Sequence, residues 1–235
     1  MDKVQFFTLP NDMTKHDAIK PSDVLVYLYL KMHDNPEHRC FPSLKVLSKE
    51  SGAAINTIRT SISNLVKNDY IKIVTKGRKH FYYFSDIKKF EMFSEEFLMN
   101  KDISFREKAY IAASQQYMFK DIENYGKMSY SRKELSNILN VSEDSIYRCD
   151  NTLKNKGYLL ELDMGIKDLG TGCSEKEKLF KLKKVGQAFL WKLKEHDDSI
   201  NELKEAEANK DKLIEQLTKR IEVLEARSQQ HEFIM

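Results

Sequence analysis

The chain has 235 residues, 41% hydrophobic and 32% charged, with 8 Gly and 4 Pro. That suits one or two folded domains and excludes collagen-like, Pro-rich and fully disordered chains. Net charge is +3, but unevenly spread: 15 basic against 12 acidic residues in 1–100, 16 against 13 in 101–184, and 8 against 11 in 185–235. Such a balance permits a polyanionic partner without demanding one. The longest apolar run, Val24-Leu25-Val26-Tyr27-Leu28-Tyr29-Leu30, is too short to span a bilayer, and Met1-Asp2-Lys3-Val4-Gln5 does not open a signal peptide. Cys40, Cys149 and Cys173 are odd in number and far apart, which argues against a disulfide framework. A cytoplasmic protein without a membrane partner is expected.

Residues 1–19 read as an N-terminal arm, followed by a first domain over 20–90. An apolar helix is expected over Asp23–Met32. Ser43 is a helix N-cap, Leu47 a buried position on the short helix that follows, and Gly52 the residue that leaves it sharply. A second helix over 56–69 places Ile58, Ile62, Leu65 and Val66 on one face. The opposite face carries Asn56, Thr60, Ser63, Asn64 and Lys67, with Arg59 and Thr57 at its margins and no acid among them. Asn suits adenine and Arg suits guanine in the major groove, while Ser, Thr and Lys commonly hold phosphates. An ordinary solvent face is the plainer alternative, but such a face carries Glu or Asp as often as Lys.

Ile71–Thr75 and His80–Phe84 then form a hairpin whose turn holds Gly77 among Lys76, Arg78 and Lys79. These cations suit phosphates or the minor groove, or they keep the hairpin edge from pairing. Phe81, Tyr82, Tyr83 and Phe84 alternate on the strand, so half face the core. A two-stranded wing looks too small to stack single-stranded bases on the remainder.

Residues 91–104 read as a linker and 105–184 as a second domain, opened by a helix over Phe105–Phe119 entered through Ser104 and Glu107. A shift of 88 residues then aligns Ser43 with Ser131, Leu47 with Leu135, Gly52 with Asn140, Ile58 with Ile146, Leu65 with Leu153, Tyr70 with Tyr158 and Val74 with Leu162. Ser131 has Glu134 three residues on, a capping box. A second hairpin follows Tyr158, with a longer tip through Gly165, Gly170 and Gly172 and a return strand over 178–183. On the helix before it, Arg148 and Asn151 point away from Ile146 and Leu153 and are further candidates for DNA contact, while Glu143 and Asp144 would repel phosphates.

Three helices and a two-stranded wing make a winged helix-turn-helix. Cys40-Phe41-Pro42-Ser43-Leu44-Lys45-Val46-Leu47-Ser48, Gly52, Asn56-Thr57-Ile58-Arg59 and Leu65-Val66-Lys67-Asn68-Asp69-Tyr70-Ile71 resemble the winged-helix domains of phage and plasmid replication initiators and related regulators. The resemblance implies that the Phe-Pro-Ser segment opens the helix-turn-helix and that the second helix reads DNA. The fold expected is mainly α with small β-wings: tandem winged helix-turn-helix domains, then a long C-terminal coiled-coil helix.

That tail, 185–235, returns apolar residues on a heptad register: Leu193, Ile200, Ile214 and Ile221 at one position, Phe189, Leu203, Leu217 and Leu224 at the other. His196, Glu207 and Lys210 interrupt the seam. Ile200, Leu203, Ile214, Leu217, Ile221 and Leu224 are the expected oligomerisation residues, giving a homodimer or higher homo-oligomer; a long solvated helix folded back on its own domains is the alternative.

No Walker A loop, GxGxxG or HExxH motif occurs, so no enzyme activity, cofactor or metal is expected. His33, His38 and Cys40 cluster without a second pair at zinc spacing. The expected function is sequence-specific binding of double-stranded DNA, by a phage or mobile-element transcriptional regulator that reads with helix 56–69 and wing 72–84. Two alternatives stand beside it: a replication initiator that binds origin repeats, and a non-enzymatic scaffold for protein interactions. A replication or transcription protein is a further expected partner.

Overall fold

A helix that is apolar all round must be buried all round, and residues 24–30 set the architecture for that reason. In a computed structural model, which describes residues 5–13, 18–36, 39–119, 126–163, 176–182, 184, 186–187, 204 and 206–220, they form the middle of α1 (Pro21–Met32). Every residue from Asp23 to Leu30 is buried. β1 (Phe6–Pro10), α2 (Leu44–Ser51), α3 (Ile55–Lys67) and, further on, α4 (Glu95–Met99) and α5 (Phe105–Ser114) surround it.

α2 and α3 meet as the sequence predicts. Ser43 Oγ accepts from the Val46 amide (3.2 Å), and Gly52 ends α2 with φ +73°, a conformation that costs a side-chain-bearing residue far more. Leu47, Ile58 and Leu65 are at most 1% exposed where the two helices close on α1. β3 (Ile71–Lys76) and β4 (Lys79–Phe84) form the hairpin with Lys76 opposite Lys79. The wing is not two-stranded as expected: β2 (Arg39–Cys40) pairs with β4, giving the order β2-β4-β3. Two residues are too short to show a period, which hid this strand.

The segment 91–104, expected as a linker, is ordered structure. β5 (Phe90–Ser94) pairs antiparallel with β1, so part of the N-terminal arm is a strand, and α4 follows with Ser94 as its N-cap.

The second half repeats the first. α5 is closed at its start by a Ser104–Glu107 capping box and ends in a 3₁₀ turn over Gln115–Tyr117, short of the expected Phe119. β6 (Lys127–Met128), α6 (Arg132–Ile138), α7 (Glu143–Asn155), β7 (Leu159–Asp163) and β8 (Lys176–Phe180) follow, in a sheet ordered β6-β8-β7. The expected return strand starts and ends a few residues earlier than predicted. Its tip glycines, Gly165, Gly170 and Gly172, lie outside the described residues.

The 88-residue register holds at atomic detail. Ser131 caps α6 as Ser43 caps α2, with Ser131 N donating to Glu134 Oε2 (2.7 Å). Asn140 takes φ +49° where Gly52 has +73°. Ser48 Oγ donates to Ala53 O and Ser136 Oγ to Val141 O, both at 2.7 Å. Asp69 and Gly157 turn with φ +60° and +69°, and Tyr70 N and Tyr158 N reach back to Leu65 O and Leu153 O.

Residues 1–189 form one compact unit. α1 packs on α5. Tyr29 Oη donates to Leu98 O (2.7 Å), and the buried Lys108 amine reaches both Tyr29 Oη and Leu98 O. Beyond β8, Gln187 Oε1 accepts from the Ser94 amide (2.9 Å), and Gly186 (φ +86°) lies so close to α4 that a Cβ would meet Glu96 Cγ at 2.9 Å.

Residues 190–235 form a separate unit, in which 206–220 are helical and exposed throughout. Ile214 and Leu217 of the expected seam are 51% and 50% exposed; Ile200, Leu203, Ile221 and Leu224 lie outside the described residues. Among the described residues, no helix is long and apolar enough to cross a membrane.

Candidate nucleic-acid interface

α3 buries Ile58, Ser61, Ile62 and Leu65 and turns its other side to solvent. Asn56, Arg59, Thr60, Ser63 and Lys67 are exposed there. Arg59 Nη1 donates to Asn56 Oδ1 (2.9 Å), which lays the guanidinium along the first turns of the helix. Ala54 at the N-cap has no side-chain oxygen to occupy the first amides of α3. α7 differs: Ser142 Oγ accepts from the Ser145 amide (3.2 Å).

Two predicted readers sit elsewhere. Asn64 is half-buried, and its Nδ2 donates to Asp23 Oδ2 (3.2 Å), so its amide braces α3 against α1. The 100° rotation that put it on the polar face also brings it beside the start of α1, where Asp23 Oδ2 also accepts from the Lys20 amide. Thr57 is half-buried and lines a cleft of about 320 Å³ with Pro21, Ala109, Tyr110, Ile146 and Cys149.

Lys76, Arg78 and Lys79 are exposed at the wing tip, where Gly77 has φ +61°. Beyond Ile71 the hairpin leaves the core, and residues 72–80 are all exposed. From Ile55 to Phe84 the chain carries Arg59, Lys67, Lys72, Lys76, Arg78 and Lys79, against Asp69 as the sole acid.

The second half is electrostatically different. Arg148 is exposed but ion-pairs with Asp144 one turn earlier (2.8 Å), and Asn151 is half-buried. Lys154 pairs with Glu161. Beneath α7, Asp150 is fully buried and accepts from Lys178 Nζ (2.7 Å) and Tyr110 Oη (2.9 Å). The flanking Asp150 charge and burial push the Tyr110 phenol well up, burial being the larger cause, so it remains a donor.

The groups considered for other chemistry are engaged structurally. His33 Nε2 lies 2.7 Å from Glu50 Oε2, and Cys40 is buried on the inner face of the wing. His38 lies outside the described residues, as does Cys173. Burial pushes the Cys40 thiol up to about 12 and the Cys149 thiol up to about 11, far from the range of a reactive thiolate. Among the described residues, no group of three His, Cys, Asp or Glu side chains is placed to hold a metal ion.

Sequence reasoning missed the Asp23–Asn64 brace, the buried Lys108 and the Asp150–Lys178 pair. Asp150 carried one signal: an acid at i+4 from Ile146 and i−3 from Leu153 falls on the apolar face of its helix.

Among curated proteins none matches this chain. Residues 17–71, which span α1, β2, α2, α3 and the first residue of β3, match the family described as "Helix-turn-helix domain", and the chain thus carries a helix-turn-helix domain of the DNA-binding kind.

Proposed function

We propose that the protein binds double-stranded DNA sequence-specifically as a transcriptional regulator of a phage or mobile element, reading bases with α3 and holding phosphates with the wing. The observation that carries this reading is the run from Ile55 to Phe84, with six cations against one acid, in which α3 keeps Asn56, Arg59, Thr60, Ser63 and Lys67 exposed. A helix built only for solubility balances its charges; one that must enter a polyanionic groove does not.

The repeat of α2–α3 geometry in α6–α7 supports reading residues 105–184 as a second winged helix. Exposed Ile214 and Leu217 on the 206–220 helix support self-association through a coiled-coil seam. Tail-linked protomers would favour a pseudo-palindromic or repeated site.

The test uses duplexes selected from a random pool by the full-length protein. Replacing Asn56 or Arg59 by Ala relaxes base preference at defined positions, costing roughly 1–3 kcal/mol if either contact is bidentate. Lys76→Ala weakens all duplexes about equally. Identical behaviour of both classes of variant removes α3 as the reader. A genome-wide binding map separates promoter sites from an origin.

A further inference from the structure

The third strand of the wing changes what its outer face can do. Side chains alternate across a sheet. Ile71, Tyr82 and Cys40 point inward and are at most 3% exposed. Their neighbours therefore line the opposite face, and the register orders them into rows. Arg39, Tyr83 and Lys72 form one row. Val74 and Phe81 form the next, extended by Phe41, which follows β2 and sets its ring 5.5 Å from that of Phe81. Lys79 and Lys76 form the third.

An aromatic row thus lies between two cationic rows. Phe41 is 55% exposed and Val74 41%, large values for such side chains in the absence of a partner. Lys79 Nζ stands 5.8 Å from the Phe41 centroid, Lys76 Nζ 6.0 Å and Arg39 Cζ 5.7 Å from that of Phe81. β2, β3 and β4 contain no Asp or Glu. Successive rows on one face are about 6.7 Å apart, twice the rise per residue, a spacing comparable to that of nucleotides along an extended strand.

We propose that this outer face of β2-β4-β3 binds single-stranded DNA, with a base stacked on Phe41 beside the tilted ring of Phe81 and the flanking phosphates held by Lys72, Lys76 and Lys79. Phosphates need the cations, and the π-face of a base needs the exposed Phe41 ring; a duplex hides its base faces and cannot use it. A neutral or apolar protein surface would leave the cationic rows unmatched, and a simple polyanion would leave the rings bare. The wing lysines serve both this reading and the duplex reading, but Phe41 lies outside α3, so variants of Phe41 and of Asn56 separate the two.

The experiment is a fluorescence anisotropy titration of the full-length protein with labelled dT20, with an abasic strand of equal length and charge, and with a selected duplex. The expected result is salt-dependent binding of dT20 that exceeds binding of the abasic strand. Phe41→Ala weakens dT20 by about tenfold, as loss of one stacked base requires, while Phe41→Tyr retains it and duplex affinity stays within about twofold. Phe41 is largely solvent-exposed, and a thermal melt confirms that the variant remains folded. Asn56→Ala weakens the duplex and leaves dT20 unchanged. Absence of dT20 binding at low salt, equal affinity for the abasic strand, or an unchanged dT20 affinity in Phe41→Ala each overturns the proposal. Loss of duplex selectivity alone would instead count against α3.

Discussion

Replacing Lys76, Arg78 and Lys79 together by Ala removes three of the six cations between Ile55 and Phe84. If each of the six neutralises one phosphate, log affinity falls with log salt at a slope of about −5, because each contact contributes about −0.9. Raising salt from about 50 to about 200 mM then weakens the wild-type protein by roughly a thousandfold. The triple variant keeps three contacts, has a slope of about −2.7, and loses only about fortyfold over the same range. Folding should be unaffected. All three side chains are exposed, and Lys76 and Lys79 face each other across the strands, where like charges repel. The assay is an anisotropy titration at several salt concentrations, paired with a thermal melt. A triple variant with the wild-type slope would show that the wing does not touch phosphates, whatever the absolute affinity.

Three further outcomes follow from the packing. Asp150→Ala should destabilise the protein by about 3–5 kcal/mol, since the buried Lys178 amine would lose the carboxylate that compensates its burial. Asp150→Leu with Lys178→Met should recover most of that loss in urea titrations, and failure to recover would mean that the pair itself, not the orphaned amine, sets the cost. Burial holds the Lys108 amine at about 8 against an ordinary 10.5, so the unfolded chain binds the extra proton between those values. Stability contributed at this site therefore rises with pH across that window. Lys108→Met gains most over wild type below pH 8, and the gain shrinks toward pH 10.5; a pH-independent difference would contradict it. The full chain should scatter light as a dimer or larger at micromolar concentration and, after removal of residues 195–235, as a monomer. A monomeric full-length protein would refute the heptad seam.

Elements defined by periodicity and caps were legible in the sequence. Ser43, Ser131, Gly52 and Asn140 do at their positions what their chemistry suggested, because capping and positive φ are local demands that one residue can answer. The 88-residue shift was visible through buried Leu47, Leu135, Ile58 and Ile146. What stayed hidden depends on partners far along the chain. β5 and α4 were read as linker because β5 exists only through pairing with β1, some 85 residues earlier. β2 has two residues and gains its identity from β4. Asn64 looked like a reader because a helical wheel shows which residues share a face, not what another helix places beside it.

The helix pairs α2–α3 and α6–α7 share the Ser cap of their first helix but present different surfaces. α3 begins at Ala54, with no side-chain cap and no acid in its first turn, while α7 begins at Ser142 with Glu143 and Asp144. Acids at a helix N-terminus are worth about 0.3–1 kcal/mol to the helix through its dipole, yet each repels the phosphates that flank a groove. The first turn of α7 is thus stabilised by its cap and its acids. Arg148, its best candidate contact, is held by Asp144 at the surface, a pair worth only about 0.3–0.5 kcal/mol. Releasing Arg148 is therefore cheap, but Asp144 stays behind at the same surface. Inside, the second half has a fully buried Asp150 bonded to Lys178 and Tyr110, which fixes α7 to β8 and α5. α5 in turn packs on α1, the helix against which Asn64 braces α3. This chain of contacts links α7 through α5 and α1 to α3, with Arg148 as the exposed cation of α7.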